Sequence, residues 1–156
     1  MTTQRLDRVA VFGDQLSLLI PHEWVESEEA SDYYLYHAPG ADSGWLRVSL
    51  ISIKGPKCRS EEELRALLAE RAQKEQGALL DVGENILVAW TKDSEEDGVP
   101  ITNFWWAVGH FHGPALSHEA IFSFTVLRER KNQSETLKTV EMVGMLVGQA
   151  SFALPT

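Results

Sequence analysis

Three strand-like segments follow one another closely in the second half of the chain. Residues 86–92, 101–112 and 119–127 each contain a run of the apolar and aromatic residues that favour strands. The pair Asp97-Gly98, which is typical of tight hairpins, ends the polar turn between the first two segments, and Gly113-Pro114 follows the second. These residues predict an antiparallel meander of three strands.

The first half of the chain predicts four more strands. Residues 9–12 and 16–20 predict a hairpin, and Pro21 ends it because proline has no N–H to donate to a strand ladder. An acidic loop is expected at residues 26–32, and further strands at residues 33–37 and 45–54.

Two helices are expected. Ser60 followed by Glu63 is a capping box, and Gly77 lies where a C-terminal cap belongs. Asn132 is the expected cap of the second helix, and the wide apolar surface of this helix predicts that it is largely buried. Residues 150–156 are expected to form a tail.

The predicted order of elements is β-β-β-β-α-β-β-β-α. Neither helix lies in a parallel β-α-β repeat, so Rossmann-like and barrel folds are disfavoured. We therefore expect an α+β fold, in which a mostly antiparallel sheet of about seven strands is flanked by two main helices. At 156 residues the chain is close to the commonest size of a domain, so a single domain is expected over residues 1–156.

The opening of the chain resembles the Mog1/PsbP-like fold superfamily, which includes the DcrB-like proteins. A hairpin over residues 12–18 leads into Pro21, and Trp24 follows after two intervening residues. This order is similar to the pattern of that group, in which a strand is followed by Pro, two residues and Trp. The resemblance implies an antiparallel sheet flanked by helices, and a binding role. Members of the superfamily regulate a small GTPase, form an extrinsic photosystem subunit, or act as cytoplasmic chaperones for secreted effectors. No motif of the family assigns a binding residue here.

The charge of the chain argues against a nucleic-acid partner. Lys and Arg number 14 and Asp and Glu number 23, giving a net charge of −9, which repels phosphate backbones. Arg128, Arg130 and Lys131 form the one dense basic group, which is too small to favour nucleic acid or an anionic membrane. The acidity is compatible with a protein partner that carries basic residues.

The sequence favours a cytoplasmic location. Cys58 is the single cysteine, so an intramolecular disulfide is impossible. Residues 1–14 contain no apolar run of signal-peptide length, and no segment approaches the length of a membrane span.

Three histidines form the best candidate for a metal site. His110 and His112 point to the same face of a strand, and the turn that follows can bring His118 or Glu119 alongside. Three imidazoles and a carboxylate are suitable zinc ligands, and a three-ligand site leaves a position for water. The alternative is a polar hairpin end with exposed histidines that bind nothing. No cofactor is expected.

Other patterns give weaker indications of chemistry. Asp93, Glu95 and Asp97 resemble the first half of an EF-hand loop, but the twelfth position is Phe104 instead of Glu. Ser43 lies between small residues without the Gly-x-Ser-x-Gly pattern of a nucleophile elbow. Cys58 lies just before a helix, a position that lowers the pKa of a thiol, but no base is placed beside it.

The tryptophans favour binding over catalysis. Trp105 and Trp106 are adjacent in a strand, so their indoles point to opposite faces. Either helices cover both faces and bury both indoles, or one face exposes Trp45, Arg47 and Trp105. Trp and Arg are the usual anchors of protein interfaces.

These observations predict a non-enzymatic protein-binding or chaperone-like adaptor, with Trp45, Arg47 and Trp105 as candidate binding residues. One alternative is a small metal-dependent hydrolase that uses His110, His112 and His118. Another is a structural subunit of a homo-oligomer.

Overall fold

The computed structural model describes residues 4–27, 32–56 and 58–155. Within these residues the helices are α1 at Glu61–Glu75, a 3-10 helix at Arg128–Arg130 and α2 at Ser134–Gly148. The strands are β1 Leu6–Val11, β2 Leu16–Pro21, β3 Val25–Ser27, β4 Tyr34–His37, β5 Trp45–Lys54, β6 Ala78–Val82, β7 Asn85–Glu96, β8 Val99–Gly113, β9 Leu116–Leu127 and β10 Ser151–Phe152.

Seven strands form the main sheet, in the order β3-β4-β5-β9-β8-β7-β6, and every described pair is antiparallel. A second, three-stranded sheet has the order β1-β2-β10. The predicted α+β class, with a mostly antiparallel sheet of about seven strands and two main helices, is confirmed. The predicted first hairpin forms, but it lies in the small sheet and not in the main one.

One face of the main sheet is largely covered, and we name it the covered face. It carries Phe122, Phe124 and Trp106, all nearly inaccessible to solvent, and it packs against α2 and the small sheet. Trp24, the tryptophan of the resemblance motif, stacks on Phe124 with ring centroids 5.8 Å apart. The motif therefore contributes to the core.

The other face, which we name the open face, is covered by α1 over β7 and β8. Leu64 and Leu68 of α1 are fully buried, and a Cβ added at Gly109 would lie 2.6 Å from Leu68 Cδ1. Glycine at this position lets the helix approach the sheet. The predicted cap of α1 is confirmed, since Ser60 Oγ accepts a hydrogen bond from the Glu63 N–H over 3.1 Å.

Three short strands were missed by the sequence analysis. β3 forms in part of the expected acidic loop, where Glu26 pairs with Tyr36. β6 follows Gly77 directly and pairs with β7. β10 forms in the expected tail, where Phe152 pairs with Leu16. Each of these strands has at most five residues, which is too few for an alternating pattern to be recognised.

The start and the burial of α2 also differ from the prediction. The helix begins at Ser134, and Gln133, not Asn132, occupies the N-cap position without a capping side-chain hydrogen bond. Val143 and Val147 are buried, but Met145 is 62% exposed. The helix therefore buries one stripe and leaves part of its apolar surface accessible.

Among the described residues, no helix is long and apolar enough to cross a membrane.

Candidate functional site

The three predicted binding residues, Trp45, Arg47 and Trp105, lie together on the open face. Arg47 pairs in register with Ser123 of β9, which in turn pairs with Trp105 of β8. All three predicted residues line one recess of about 210 Å³, and each is half-buried. α1 thus leaves part of the open face accessible. Because the three side chains are half-buried, the structure lies between the two arrangements that the sequence allowed.

Stacked aromatic rings extend this surface toward α1. Trp90 of β7 pairs in register with Trp105, and their indoles stack with centroids 5.8 Å apart and planes 6° apart. The guanidinium of Arg71, on α1, lies 5.7 Å from the centre of the Trp90 ring. On the other side, the guanidinium of Arg47 lies 4.6 Å from the centre of the Tyr33 ring. The result is a surface on which a cation–aromatic contact lies on each side, Arg71 over Trp90 and Arg47 over Tyr33.

Arg47 has an unused hydrogen-bond donor. Its Nε is buried, and within the described part of the chain it has no hydrogen-bond partner. A buried donor without an acceptor carries a desolvation penalty of about 1–3 kcal/mol. An acceptor oxygen that a ligand brings into this recess would remove the penalty. The floor beside Arg47 consists of the nearly buried hydroxyl residues Ser123 and Thr125.

Acidic residues border the recess on one side. Glu95 and Glu96, near the tip of the β7–β8 hairpin, line it together with Ser94. Asp93, which pairs with Thr102 close to this tip, has its Oδ2 2.9 Å from Lys131 Nζ. Hydrogen bonds from Thr102 and Lys131 lower the pKa of the Asp93 carboxyl. The hairpin that resembles half an EF-hand loop is thus tied to the neighbouring 3-10 helix region by ion pairs.

The three candidate metal ligands His110, His112 and His118 are brought together at the other end of β8 and β9. The ring centroids of His110 and His112 are 4.7 Å apart, and those of His112 and His118 are also 4.7 Å apart. Phe152 of β10 stacks on His110 at 5.4 Å. His118 is fully buried, so the expected exposed hairpin end is wrong for this residue. We name these three residues the histidine cluster.

Hydrogen bonds assign the protons in the histidine cluster. His118 Nε2 lies 3.1 Å from Gln15 Oε1, and an amide oxygen only accepts, so this nitrogen carries the proton. Neutral His118 then accepts at Nδ1 from His112 Nε2, over 2.8 Å. His110 Nδ1 donates to Asn85 Oδ1 over 3.1 Å by the same reasoning.

This arrangement does not suit a metal ion. A metal ligand must offer a ring lone pair, and neither nitrogen of His118 has a free one. Across the described ranges, no group of three or more His, Cys, Asp or Glu residues is placed to hold a metal ion. Glu119 lies on the open face, because adjacent strand residues point to opposite sides, and its Oε1 lies 3.4 Å from Arg71 Nη2.

Burial shifts the pKa values of these groups. It lowers the pKa of His118 to about 4, and the positive charges that His112 and His110 carry when protonated add to the shift. The pKa of His112 is also lowered, mainly by burial. Burial raises the pKa of the Glu119 carboxyl, and Arg71 opposes that shift. His118 is therefore neutral at physiological pH.

The remaining candidates for chemistry receive no support from their surroundings. Cys58 is fully buried, and its Sγ lies 3.7 Å from Ser117 Oγ and 3.6 Å from the Ser60 carbonyl oxygen. A buried thiol of this kind behaves as a small apolar side chain.

Arg128 donates to the Ser94 carbonyl oxygen over 2.6 Å, so part of the basic group stabilises the β7–β8 hairpin.

Sequence reasoning missed Trp90, Arg71 and Tyr33 as parts of the candidate site. Trp90 lies in the strand predicted at residues 86–92, but its place beside Trp105 depends on the register of β7 against β8. Arg71 lies in the helix predicted between Ser60 and Gly77, and only tertiary packing brings it over Trp90. No pattern in the sequence signals either contact.

Comparison with known proteins identifies relatives by structure only. No family model matches the chain, and no curated protein matches it at a significant level. A protein from Bacteroides thetaiotaomicron is similar over 94% of this chain, with 18% identity and a TM-score of 0.61. The match covers 48% of the Bacteroides protein, so this chain spans about half of that length.

Two other solved structures are similar over nearly their whole length. Mog1p, a Ran-binding protein of Saccharomyces cerevisiae, has a TM-score of 0.55 and 8% identity, and the match covers 96% of both chains. LpqN of Mycobacterium tuberculosis, which is involved in cell envelope biogenesis, has a TM-score of 0.58 and 11% identity, with 98% of this chain and 93% of LpqN covered. At these identities the likeness establishes the fold alone, and the Mog1/PsbP-like fold expected from the sequence is confirmed.

Proposed function

On the premise of the Mog1/PsbP-like fold, we propose that this chain is a non-enzymatic adaptor that binds another protein through its open face. The anchors are Trp45, Arg47 and Trp105, which line one recess. The observation that carries the proposal is the buried Nε of Arg47, which is without a hydrogen-bond partner among the described residues, while the guanidinium lies over the Tyr33 ring.

The chemistry of the recess fits a polypeptide better than a small reactive substrate. Two stacked indoles offer flat apolar area, and Arg47 offers a donor for a carbonyl or carboxylate oxygen of the partner. Glu95 and Glu96 at the border favour a basic residue next to that acceptor. Half-buried aromatic side chains of this kind are typical of interface anchors, because they bind at low conformational cost.

The fold provides a precedent for protein binding. Mog1p is a Ran-binding protein and shares this fold. We place the interaction in the cytoplasm, as the sequence predicts, where the reduced Cys58 is compatible with the surroundings. A chaperone-like role, in which the open face shields a client segment, is a variant of the same proposal.

Quantitative affinity capture from the native host tests this proposal. The bait proteins are the wild type, Arg47→Met, Trp105→Ala and the control Lys138→Met, which removes a charge from α2. Truncation of an anchor is expected to weaken binding by about 2 kcal/mol or roughly 30-fold in Kd. The partner should therefore be recovered with the wild type and the control, and lost with both open-face variants.

Two outcomes of the capture experiment contradict the proposal. One is recovery of the same partners by all four bait proteins, which would place the binding surface elsewhere. The other is a wild-type mass in solution that rises with concentration and falls to that of a monomer in Trp105→Ala. That result would assign the open face to a homo-oligomer, the alternative that the sequence left open.

A further inference from the structure

A second recess lies on the covered-face side of the main sheet, between α2 and the edge strand β6. It has a volume of about 360 Å³. We name it the edge groove. Its lining residues come from the main sheet and from α2 with its C-terminal end. They are Leu80, Val82, Leu87, Ala89 and Trp106 from the sheet, and Glu141, Gly144, Met145, Gly148 and Gln149 from the helix and its end.

The edge groove exposes apolar side chains beside the outer edge of β6, with which no described strand pairs. Leu80 of β6 is 54% exposed, and Met145 of α2 is 62% exposed. β6 is the last strand of the main sheet, and in the described ranges it pairs only with β7. Its outer backbone N–H and C=O groups are therefore available to a further strand.

Two glycines of α2 set the depth of the edge groove. A Cβ added at Gly144 would lie 3.2 Å from Trp106 Nε1, and one added at Gly148 would lie 3.4 Å from Leu87 Cδ1. Glycine in a helix costs stability of roughly 1 kcal/mol per residue relative to alanine. Here the missing side chains let α2 approach the sheet closely, so that the exposed side chains of Leu80 and Met145 line a groove and not a flat surface.

The charge around the edge groove has one sign. A neighbouring recess shares Val82, Gly148 and Gln149 with it, so the two recesses adjoin each other. The acidic residues that line them are Glu84 and Glu141, and neither Lys nor Arg is among the described lining residues of either recess. This rim attracts a positively charged segment.

We propose that the edge groove binds an extended apolar segment of a partner protein that has lysine or arginine on its flanks, and that this segment adds to β6 as a further strand. The backbone of the segment pairs with the outer edge of β6. Its alternate side chains contact Leu80 and Met145, and its basic flanks approach Glu84 and Glu141. This mode of recognition combines strand addition with pockets for every second side chain.

The edge groove does not depend on the proposed function of the open face. It lies on the opposite side of the main sheet from Trp45, Arg47 and Trp105. If both surfaces are used, the chain carries two binding sites that point away from each other, which is the arrangement an adaptor requires.

A labelled synthetic peptide tests the proposal by fluorescence anisotropy. The probe is a peptide of about twelve residues, in which valine alternates with threonine and lysines flank both ends. The full chain is titrated as wild type, Leu80→Lys, Met145→Lys and the matched control Leu137→Lys. Leu137 is also an exposed apolar residue of α2, 47% exposed, but it does not line the edge groove.

We expect the peptide to bind the wild type and Leu137→Lys equally, and both groove variants about tenfold more weakly or worse. A peptide with N-methyl groups on alternate amides should not bind, because it cannot pair with β6. A peptide flanked by glutamate in place of lysine should bind more weakly. Trp105→Ala should bind the probe as the wild type does, which separates this result from the open face.

Several results overturn the proposal. Absence of wild-type binding does so, as does equal binding by Leu80→Lys, Met145→Lys and the control. Equal binding of the N-methylated peptide removes the strand-addition mode, and equal binding of the glutamate-flanked peptide removes the charge argument. A wild-type dimer that dissociates in Leu80→Lys would assign the groove to a second copy of the chain. Circular dichroism of each variant confirms that it is folded.

Discussion

Trp105 and Trp106 are neighbours in β8, but they lie on opposite faces of the main sheet and differ in burial. Trp106 is 6% exposed under α2, whereas Trp105 is half-buried and stacks on Trp90. The covered face combines a large apolar cluster with the histidine cluster at one end of β8 and β9, whereas the open face adds arginines, hydroxyls and a buried carboxylate. The difference indicates that the covered face contains most of the apolar core and therefore contributes more to stability than the open face does.

The largest expected effect is the difference in stability between the alanine variants of the two tryptophans. Trp106→Ala should lower the free energy of unfolding by about 3–5 kcal/mol, because it removes a buried side chain and leaves a cavity. Trp105→Ala should lower it by only about 1 kcal/mol, the contribution of a stacked aromatic pair at a half-buried position. Urea denaturation of both variants measures this, and equal losses would refute the distinction between the faces.

The histidine cluster gives the covered face a pH dependence. Burial holds the pKa of His118 at about 4, below its ordinary value of 6.5. Since the folded-state pKa is the lower one, stability is complete above pH 6.5 and falls as the pH decreases toward 4, by on the order of 2 kcal/mol. Protonated His118 would also direct a second N–H at His112 Nε2, which itself donates.

Melting temperatures between pH 7.5 and pH 4 test this dependence, at about half-unit steps. His118→Gln should be less stable at pH 7.5 and should show a shallower decline below pH 6.5. His22→Gln is the control, because His22 is an exposed residue that pairs with Asp7 away from the cluster. An unchanged pH profile in His118→Gln would exclude the cluster as its source.

An ion pair under the open face should give a smaller effect. Arg71→Met leaves the buried carboxylate of Glu119 without its cation, which should cost about 1–2 kcal/mol at neutral pH because the pair is partly exposed. The double variant Arg71→Met with Glu119→Gln should recover part of that loss, since no buried charge then remains. If the two single effects simply add in a double-mutant cycle, the pair does not contribute as described.

The smallest effect concerns the helix that covers part of the open face. Ser60→Ala removes the N-cap of α1 and should lower stability by about 1 kcal/mol. Ser134→Ala is the matched control at the start of α2, where Gln133 makes no capping side-chain hydrogen bond. Equal losses in the two variants, measured by thermal unfolding, would contradict the assignment of the cap.

Much of the fold follows from periodicity. The alternation in β9 sends Phe122 and Phe124 to one side and Ser123 and Thr125 to the other, as the sequence predicts. Periodicity does not predict the short strands β3 and β10, because two or three residues are too few to show an alternating pattern. β10 exists because α2 returns the chain to β2, a tertiary contact that local sequence does not encode.

The candidate site was predictable only in part. Alternation requires that Trp105 and Trp106 point apart, but which of the two lies in the core depends on where α1 and α2 pack. Alternation along β9 likewise places the side chains of Glu119 and His118 on opposite faces of the main sheet. The hydrogen bond between His118 and Gln15 joins residues 103 positions apart, and the chain bulges between Phe111 and Gly113 to allow the cluster. Such contacts depend on register and tertiary packing, which a single sequence does not reveal.

Site-specific photo-crosslinking in the native host tests the central claim most directly. A photoactivatable phenylalanine derivative replaces Trp45 on the open face in one protein, and Leu137 on α2 in another. The account predicts that the first protein crosslinks to a distinct partner, and that adding Arg47→Met abolishes the product. Crosslinks of equal yield from both positions, or a product from position 45 that persists with Arg47→Met, would contradict it.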